Sequence, residues 1–250
     1  MINLALKPQT NFELLLNTAE GNSGFSINAT ALPKDPETRE KANLAARNVV
    51  HLKEPEILPR EKWATLLKTV QEWKNISLVK IRSIFFDELK LPKAQWPAYL
   101  QTPRPKLFGD HILICEGIEQ MLAGRIKGKK PHEDTEKWDR VFVVFDTSNK
   151  PQSIALYDST TNHLSLLVTD PNNLQDPTNQ NQVRGTAKKI MTLLQEFSNY
   201  IDRDLTLSST GTAVPFYEHL GFERDLTIPI EEGMAIPMIY KVSHLLPPAI

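Results

Sequence analysis

Two stretches of the chain repeat hydrophobic residues every three or four positions, the spacing that places side chains on one face of an α-helix. In the first stretch the repeating residues are Trp63, Leu66, Leu67, Val70 and Trp73. In the second stretch they are Ala187, Ile190, Met191, Leu194, Phe197 and Ile201. Each stretch therefore predicts an amphipathic helix whose apolar face packs on a core.

Short apolar runs bounded by turn-forming residues predict β-strands between and after these helices. Three runs, at 140–146, 153–159 and 163–169, follow one another closely and predict an antiparallel meander. The elements predicted after the second helix are a strand at 205–210, a short helix within 212–221, and two strands within 224–230 and 234–242. This alternation predicts an α/β or α+β sheet domain with helices on its faces.

The N-terminal part of the chain carries mostly helical patterns. Asp35-Pro36 is typical of a helix start, because proline favours the first turn. The segment 76–91 fits either a helix or a strand, and four prolines between residues 91 and 106 predict turns or a linker. We therefore predict a mainly helical region at 1–104 and a sheet domain at 105–250.

Composition narrows the class of protein. Hydrophobic residues make up 40% of the 250-residue chain and charged residues 24%, as in ordinary globular proteins. The net charge is −1 and no long basic run occurs, so we expect neither nucleic acid nor an anionic membrane as a partner. The sequence gives no prediction of the oligomeric state.

The sequence also allows predictions about the cellular compartment and about metal binding. A single cysteine, Cys115, predicts a reducing compartment without an intrachain disulfide. No signal-peptide pattern and no run of the ~18 apolar residues needed for a membrane span are found, so we expect a cytoplasmic protein. Delivery into another cell by a specialised secretion system would leave no recognisable signature. None of the six histidines pairs with another at i, i+3 or i+4 spacing, so we expect no metal site.

The second predicted helix opens on an unusual sequence, Arg184-Gly185-Thr186-Ala187, in which small residues follow a cation. Such a start exposes unpaired amide groups and the positive end of the helix dipole, which together can hold a pyrophosphate. Small residues at a helix start also allow close packing on a sheet. The common nucleotide loops, G-x-x-x-x-G-K-[ST] and G-x-G-x-x-G, do not occur here.

Two short motifs carry a resemblance to a known family. The segment "QVRGTA" at 182–187 resembles the [R/Q]-x-x-G-x-[G/A] signature of the GCN5-related N-acetyltransferase superfamily. The segment "AVPFYEHLGF" at 213–222 resembles the A-x-x-x-Y-x-x-x-G-F element that follows it in that superfamily. The resemblance covers roughly residues 105–245, with a helix and a strand between the two motifs. It leaves out the first hundred residues, apart from a possible contribution of an early strand to the sheet.

The resemblance implies a fold and a cosubstrate. The fold is a twisted mixed sheet of about seven strands, splayed between the fourth strand (163–169) and the fifth (205–210). Acetyl-CoA lies in the splay, with its pantetheine arm along one strand edge and its pyrophosphate at the helix start. The implied contact residues are Leu167, Val168, Gln182, Val183, Arg184, Gly185, Thr186, Ala187, Lys188 and Thr210. Thr210 stands where many members carry an asparagine.

The same resemblance implies the chemistry. Tyr217 occupies the position of the family's general acid, which protonates the departing thiolate; its alternative role is that of an amphipathic core residue. Gly221 is expected to end the short helix with a positive φ. His163 is a candidate general base, and its alternative role is that of a strand-start residue without catalytic function. Further candidates for the base are Asp158, Asp170 and Glu116.

Two function classes follow. The first is an acyltransferase that moves an acetyl group from acetyl-CoA to a primary amine of a small molecule or protein, by direct transfer in a ternary complex. The second is a non-catalytic acyl-CoA-binding or protein-interaction module with the same fold. A loop from Asp170 to Asn181 is longer than the family usually has, and it either covers the cosubstrate or extends as a polar excursion.

Overall fold

A mixed sheet of seven strands forms the centre of the protein. The structure is a computed structural model that describes residues 56–127, 138–174, 185–229 and 235–242. The strands are β1 (Glu56–Ile57), β2 (Arg140–Phe145), β3 (Pro151–Asp158), β4 (His163–Thr169), β5 (Leu205–Ser209), β6 (Glu223–Arg224) and β7 (Ile236–Tyr240). The α-helices are α1 (Trp63–Ser83), α2 (Trp96–Tyr99), α3 (Pro103–Ile126), α4 (Thr186–Tyr200) and α5 (Val214–His219). Short 3₁₀ turns at Arg60–Lys62 and Lys93–Gln95 and a π-helical turn at Ile84–Glu88 complete the described elements.

The strand order is β1-β2-β3-β4-β5-β7-β6. Every neighbouring pair is antiparallel except β4 and β5, which run parallel. A parallel pair needs a crossover connection, and α4 supplies it. The three-stranded meander, the strand after α4 and the early strand that joins the sheet are thus confirmed.

Alternating side chains of β2 and β3 pack into two separate hydrophobic cores, because successive residues of a strand point to opposite faces. Phe142 and Ala155 pack with α4, together with Ile190 and Leu194 of that helix. The other face packs on α1 and α3, and its buried members include Val70, Trp73, Ile118, Leu122, Val143, Ile154 and Leu156. The sheet therefore separates α4 from α1 and α3.

The sheet opens between β4 and β5. Both strands lie wholly within the described residues, and they pair at two positions only, His163 with Thr206 and Leu164 with Leu207. The β3–β4 register also shifts, with Leu156 opposite Leu166 and Tyr157 opposite Leu164. Ser165 is the extra residue of this bulge, and bulges bend and twist a strand. The predicted splay is confirmed, and its open end lies beyond Thr169 and Ser209.

Several predicted elements differ in detail. The segment 76–91 is α-helical and then π-helical, and the proline-containing segment 91–106 holds a 3₁₀ turn, α2 and the first turn of α3. The strand predicted within 224–230 is wrong for most of its length, because Asp225 turns the chain by accepting hydrogen bonds from the amide and hydroxyl of Thr227. The Asp35-Pro36 helix start lies outside the described residues.

The prediction that Phe197 lies on the buried face of α4 is also wrong. Phe197 is 40% exposed, whereas its neighbour Ser198 is fully buried. The Ser198 hydroxyl donates to the carbonyl of Leu194 and accepts from the side-chain amide of Asn162. These bonds satisfy the buried hydroxyl, so a polar residue occupies the inward position.

The predicted boundary between 104 and 105 falls in the first turn of α3. In addition, α1 shares a hydrophobic core with α3 and with the sheet strands. The division of the chain at this point stays a prediction. None of the helices in the described ranges has the length and apolar character needed to cross a bilayer.

Candidate functional site

The start of α4 lies at the open end of the splay, because Ser153 Oγ of β3 contacts both Thr169 at the end of β4 and Thr186, the first residue of α4. Gly185 is the N-cap residue with φ 83°, in the left-handed region that favours glycine, and no side chain caps the helix. The first described bond of the helix runs from the Lys189 amide to the Gly185 carbonyl, at 2.9 Å. The amides of Thr186, Ala187 and Lys188 therefore precede the helical hydrogen-bond ladder.

The side-chain position of Gly185 is unoccupied by the residues that the structure describes. A Cβ atom built on Gly185 would meet no heavy atom within 4 Å among the described residues. Glycine is thus required here by the backbone conformation, whereas close packing does not require it. A helix start that has no side-chain cap and whose first amides precede the hydrogen-bond ladder fits a pyrophosphate.

Thr186 is anchored to the sheet through its side chain. Its Oγ1 accepts a hydrogen bond from Ser153 Oγ of β3 at 2.7 Å, and Thr169 Oγ1 of β4 lies 2.9 Å from the same serine oxygen. A serine has one hydroxyl proton, so Thr169 donates to Ser153 and Ser153 donates to Thr186. The chain of three hydroxyls fixes the first residue of α4, whose amide precedes the helical hydrogen-bond ladder.

The same strand end is held from the opposite face by His111 of α3. His111 Nε2 donates to the Thr169 carbonyl at 2.7 Å, and Nδ1 accepts from the Ser77 hydroxyl of α1 at 2.9 Å. Burial lowers the pKa of His111 to about 4, and the bond to Thr169 opposes this shift in part. The ring is therefore neutral near pH 7, as the donor and acceptor assignment requires.

The remaining predicted contacts of the cosubstrate occupy different environments. Leu167 packs against the α4 core and Val168 is buried in the core of α1 and α3. Both residues lie in the part of β4 that does not pair with β5. Lys188 is exposed and Ala187 is half-buried. Three of the predicted contacts, Gln182, Val183 and Arg184, lie outside the described residues, as does most of the predicted 170–181 loop.

Tyr217 lies on α5, which follows β5 on the other side of the gap. Its ring is buried, with centroids 5.0 Å from Phe216 and 5.8 Å from Phe222. Burial raises the pKa of Tyr217, so the phenol keeps its proton at neutral pH. Among the described residues, none forms a hydrogen bond with this hydroxyl. Tyr217 therefore has a ring that packs in the core and a hydroxyl proton that can be donated to a ligand.

The end of α5 follows the sequence prediction. Gly221 has φ 84° and comes directly after the C-cap residue Leu220. The Phe222 amide donates to the Tyr217 carbonyl at 3.1 Å, which closes the helix end. This left-handed glycine sets the exit direction of the chain behind Tyr217.

His163 lies at the paired end of the gap, whereas Thr169 lies at its open end. The strand between them is about 20 Å long at ~3.3 Å per residue. His163 Nδ1 is 2.8 Å from Thr206 Oγ1 of β5, a contact that joins the two strands. Burial lowers the pKa of His163, although the nearby Asp158 carboxylate raises it in part.

The other candidate bases are also held by local contacts. Burial alone would raise the pKa of Asp158, but hydrogen bonds from Thr161 and Thr160 lower it overall. Burial raises the pKa of Asp170, which follows β4 directly. Burial likewise raises the pKa of Glu116 on α3. Within the described ranges, no group of three or more His, Cys, Asp or Glu side chains could hold a metal ion.

A second contact between distant elements was missed at the sequence level. Thr212, in the turn between β5 and α5, donates its hydroxyl to Asp110 Oδ2 of α3 at 2.5 Å. Thr210 Oγ1 lies 3.2 Å from Thr212 Oγ1 in the same turn. Asp110 and His111 are polar residues within the largely apolar segment "LFGDHILIC" at 107–115. This pair of polar residues in an apolar helix segment was the available signal for buried hydrogen bonds.

Comparison with solved structures gives distant resemblances. The chain is 13% identical to a histone acetyltransferase HPA2 and related acetyltransferase from Corynebacterium glutamicum, covering 79% of this chain and 100% of that one with a TM-score of 0.42. It is 13% identical to a GCN5-related N-acetyltransferase from Rhodopseudomonas palustris, covering 78% and 98% with a TM-score of 0.42. It is 14% identical to a spermidine N-acetyltransferase chimera from Vibrio cholerae and hSSAT, covering 76% and 95% with a TM-score of 0.39.

Comparison at the level of sequence gives a family assignment. No curated protein matches the chain. The family model described as "Acetyltransferase (GNAT) domain" matches residues 115–241, which is slightly more than half of the chain. This match includes β2 to β7, the start of α4 and Tyr217, and the protein therefore belongs to the GNAT acetyltransferase family.

Proposed function

We propose that the protein transfers an acetyl group from acetyl-CoA to a primary amine of a small molecule or protein, by direct transfer in a ternary complex. One observation carries this proposal: β4 and β5 separate beyond Leu164 and Leu207, and the uncapped start of α4 lies at the open end. A parted strand pair offers backbone groups to an extended ligand, and the helix start offers amides to its phosphates.

The cosubstrate contacts follow from this arrangement. The amides of Gly185 to Lys188 receive the pyrophosphate, and Gln182, Val183 and Arg184, which precede them in the chain, are further proposed contacts. The exposed ammonium of Lys188 adds a favourable charge within the first helical turn. The pantetheine arm lies along the β4 edge at Leu167 and Val168 and passes Thr210, which follows β5.

Tyr217 serves as the acid in the proposed reaction. The amine nitrogen bonds to the thioester carbonyl carbon, the carbon–sulfur bond breaks, and the phenol donates its proton to the departing thiolate. The amine loses one proton as it becomes an amide, so the protons gained and lost in the whole reaction are equal in number. Burial raises the pKa of Tyr217, so the phenol carries the proton that this role requires at neutral pH.

His163 is the proposed base. For Nε2 to take a proton, Nδ1–H must donate to Thr206 Oγ1, so that the lone pair of the neutral ring lies on Nε2. The lowered pKa of His163 supports a neutral ring at physiological pH. The position of His163 at the paired end of the strands requires the amine, or a water molecule that relays its proton, to reach that end.

Two measurements test the proposal. Calorimetry measures whether acetyl-CoA binds, and release of free CoA is followed with polyamines, aminoglycosides, amino acids and peptides as acceptors. Binding together with turnover on any of these amines is the expected result. Binding without turnover on any acceptor would instead support the non-catalytic acyl-CoA-binding module, and no binding at millimolar acetyl-CoA would contradict both functions.

A further inference from the structure

A hydrogen bond between Asp110 and Thr212 joins two elements that are 102 residues apart in the chain. Asp110 lies on α3, on the face of the sheet opposite α4, and Thr212 lies in the turn that follows β5. The Asp110 side chain is 12% exposed and also accepts hydrogen bonds from Lys106 Nζ at 3.0 and 3.2 Å. Its carboxylate is therefore fully engaged by one ammonium and one hydroxyl.

The direction of the hydrogen bonds in this turn can be deduced from their donors. A carboxylate only accepts, so the single hydroxyl proton of Thr212 is committed to Asp110. The 3.2 Å contact between Thr210 and Thr212 must then use the proton of Thr210. The Thr210 hydroxyl consequently has lone pairs but no proton left for a ligand.

The backbone of the turn is fixed as well. The Thr210 carbonyl accepts from the Ser209 hydroxyl at 2.8 Å and from the Ala213 amide at 3.0 Å. These bonds hold Thr210 immediately beyond the last residue of β5, at the open end of the gap. The orientation of its side chain therefore depends on Thr212, and that of Thr212 depends on Asp110.

We propose that Asp110 is a positioning residue for the acyl-donor site, which acts through Thr212 to present Thr210 as a pure hydrogen-bond acceptor to an amide N–H of the pantetheine arm. The proposal rests on acetyl-CoA lying in the gap between β4 and β5. It extends the proposed function by assigning a role to a residue on the opposite face of the sheet.

The experiment compares two probes by calorimetry with the full-length protein. Acetyl-CoA carries the pantetheine arm, whereas phosphoadenosine diphosphate keeps the nucleotide and pyrophosphate and lacks the arm. Thr212→Val removes the hydroxyl and keeps the shape, and it should weaken acetyl-CoA binding about tenfold while the affinity for the second probe stays within about twofold. Thr212→Ser should restore wild-type affinity for acetyl-CoA.

A second variant and a matched control distinguish a specific effect on binding from a general loss of structure. Asp110→Ala frees the Thr212 proton at a helical position where alanine is well tolerated, and it should cause the same selective loss. Thr161→Val breaks a similar bond, from Thr161 to Asp158 at 2.7 Å, in the turn between β3 and β4. This control should leave both affinities within about twofold of wild type.

The outcomes separate the two proposals. If the wild-type protein fails to bind acetyl-CoA, the proposed function and this inference fall together. If the wild type binds and the folded Thr212→Val and Asp110→Ala variants bind acetyl-CoA normally, or lose affinity for both probes equally, the role of Asp110 is overturned while the proposed function stands. Failure of Thr212→Ser to restore affinity would also contradict the inference.

Discussion

Ser153 of β3 donates a hydrogen bond to Thr186, the first residue of α4, over 2.7 Å in the buried interior. A helix start that accepts phosphate is exposed to solvent on one side, so it has to be fixed from the other side. The Ser153–Thr186 bond does this by tying the first helical residue to the central sheet. The serine is thus a support for the proposed pyrophosphate contacts without touching the ligand.

We predict that Ser153→Ala weakens acetyl-CoA binding as well as stability. Removing the serine leaves the buried hydroxyl of Thr186 and the part-buried hydroxyl of Thr169 without this partner, at a cost of about 1–3 kcal/mol in the free energy of unfolding. The loosened helix start should lower acetyl-CoA affinity about three- to tenfold. Urea unfolding and calorimetry measure the two effects separately.

Ser198→Ala is the matched control for this variant. Ser198 is also fully buried and hydrogen-bonded, but it lies near the C-terminal end of α4. Its loss should reduce stability by a similar amount and leave acetyl-CoA affinity unchanged. Equal affinity losses in both variants would show that acetyl-CoA binding follows overall stability and does not depend on the anchored helix start.

A pair of substitutions at Gly185 tests the pyrophosphate contact. Asparagine and aspartate tolerate the left-handed backbone of Gly185 better than other side chains, and both can cap a helix. Aspartate adds a negative charge, which stabilises the unliganded helix start by about 0.3–1 kcal/mol and repels pyrophosphate. We therefore predict that Gly185→Asp is the more stable variant and yet binds acetyl-CoA about tenfold more weakly than Gly185→Asn.

The opposite signs of these two effects make the comparison decisive. Thermal unfolding without ligand ranks the stabilities, and calorimetry ranks the affinities. Equal acetyl-CoA affinity of the two folded variants would mean that no phosphate lies against this helix start, and that Gly185 serves only the left-handed turn.

Tyr217→Phe tests the proposed acid. The substitution keeps the buried ring and removes a hydroxyl that has no hydrogen-bond partner among the described residues, so stability should change by less than about 1 kcal/mol. Turnover should fall about 100-fold, with little change in KM for acetyl-CoA, because the hydroxyl acts on the departing thiolate. Steady-state kinetics on a confirmed amine measures both parameters.

The neighbour Phe216 provides the comparison. Phe216→Leu alters a half-buried ring that contacts Tyr217, and it should affect stability more than turnover. If Tyr217→Phe keeps near-normal turnover while Phe216→Leu is the worse enzyme, Tyr217 acts as a core residue and the thiolate receives its proton elsewhere.

The sequence predicts elements whose residues are close together in the chain. Hydrophobic spacing finds α1, α4 and the β2–β4 meander because it records which face of each element is buried. It fails at Asp225, where a side chain turns the backbone, and at Ser198, where a hydroxyl satisfied by Asn162 replaces an apolar residue on the inward face. Side-chain hydrogen bonds, which the spacing of apolar residues does not record, override the pattern at both places.

The supports of the candidate site are invisible to such patterns for a different reason. Ser153 meets Thr186 across 33 residues, His111 meets Thr169 across 58, and each residue alone is an ordinary polar side chain. Their burial is tolerated only because the folded chain supplies the partner. The motifs around Gly185 and Tyr217 were recognisable because they are contiguous, whereas the residues that hold them are not.

His163→Gln tests the proposed base. Glutamine keeps a polar contact to Thr206 and cannot take up a proton, so turnover should fall at least ~100-fold if His163 accepts the amine proton. In the wild type, the acidic limb of kcat/KM should have its midpoint below 6.5, since burial lowers the pKa of His163. Near-normal turnover with reduced stability would leave His163 with the role of joining β4 to β5.

The last prediction concerns the pH dependence of stability that His111 causes. Its pKa is about 4 in the folded protein and 6.5 when exposed, so above pH 6.5 the ring is neutral in both states and adds no pH dependence. Between pH 6.5 and pH 4 the unfolded chain binds a proton that the folded protein does not, and stability falls as the pH falls. The full loss is about 3 kcal/mol, and below pH 4 the folded ring also protonates and the loss stops.

His111→Gln isolates this contribution, because glutamine can still donate to the Thr169 carbonyl but does not titrate. We expect the variant to be less stable than wild type at pH 7.5, since its bond to Ser77 is altered, and to lose about 2 kcal/mol less than wild type between pH 6.5 and pH 5. Urea unfolding at a series of pH values gives both curves. Parallel curves for the two proteins over this interval would contradict a neutral, buried His111 beneath the end of β4.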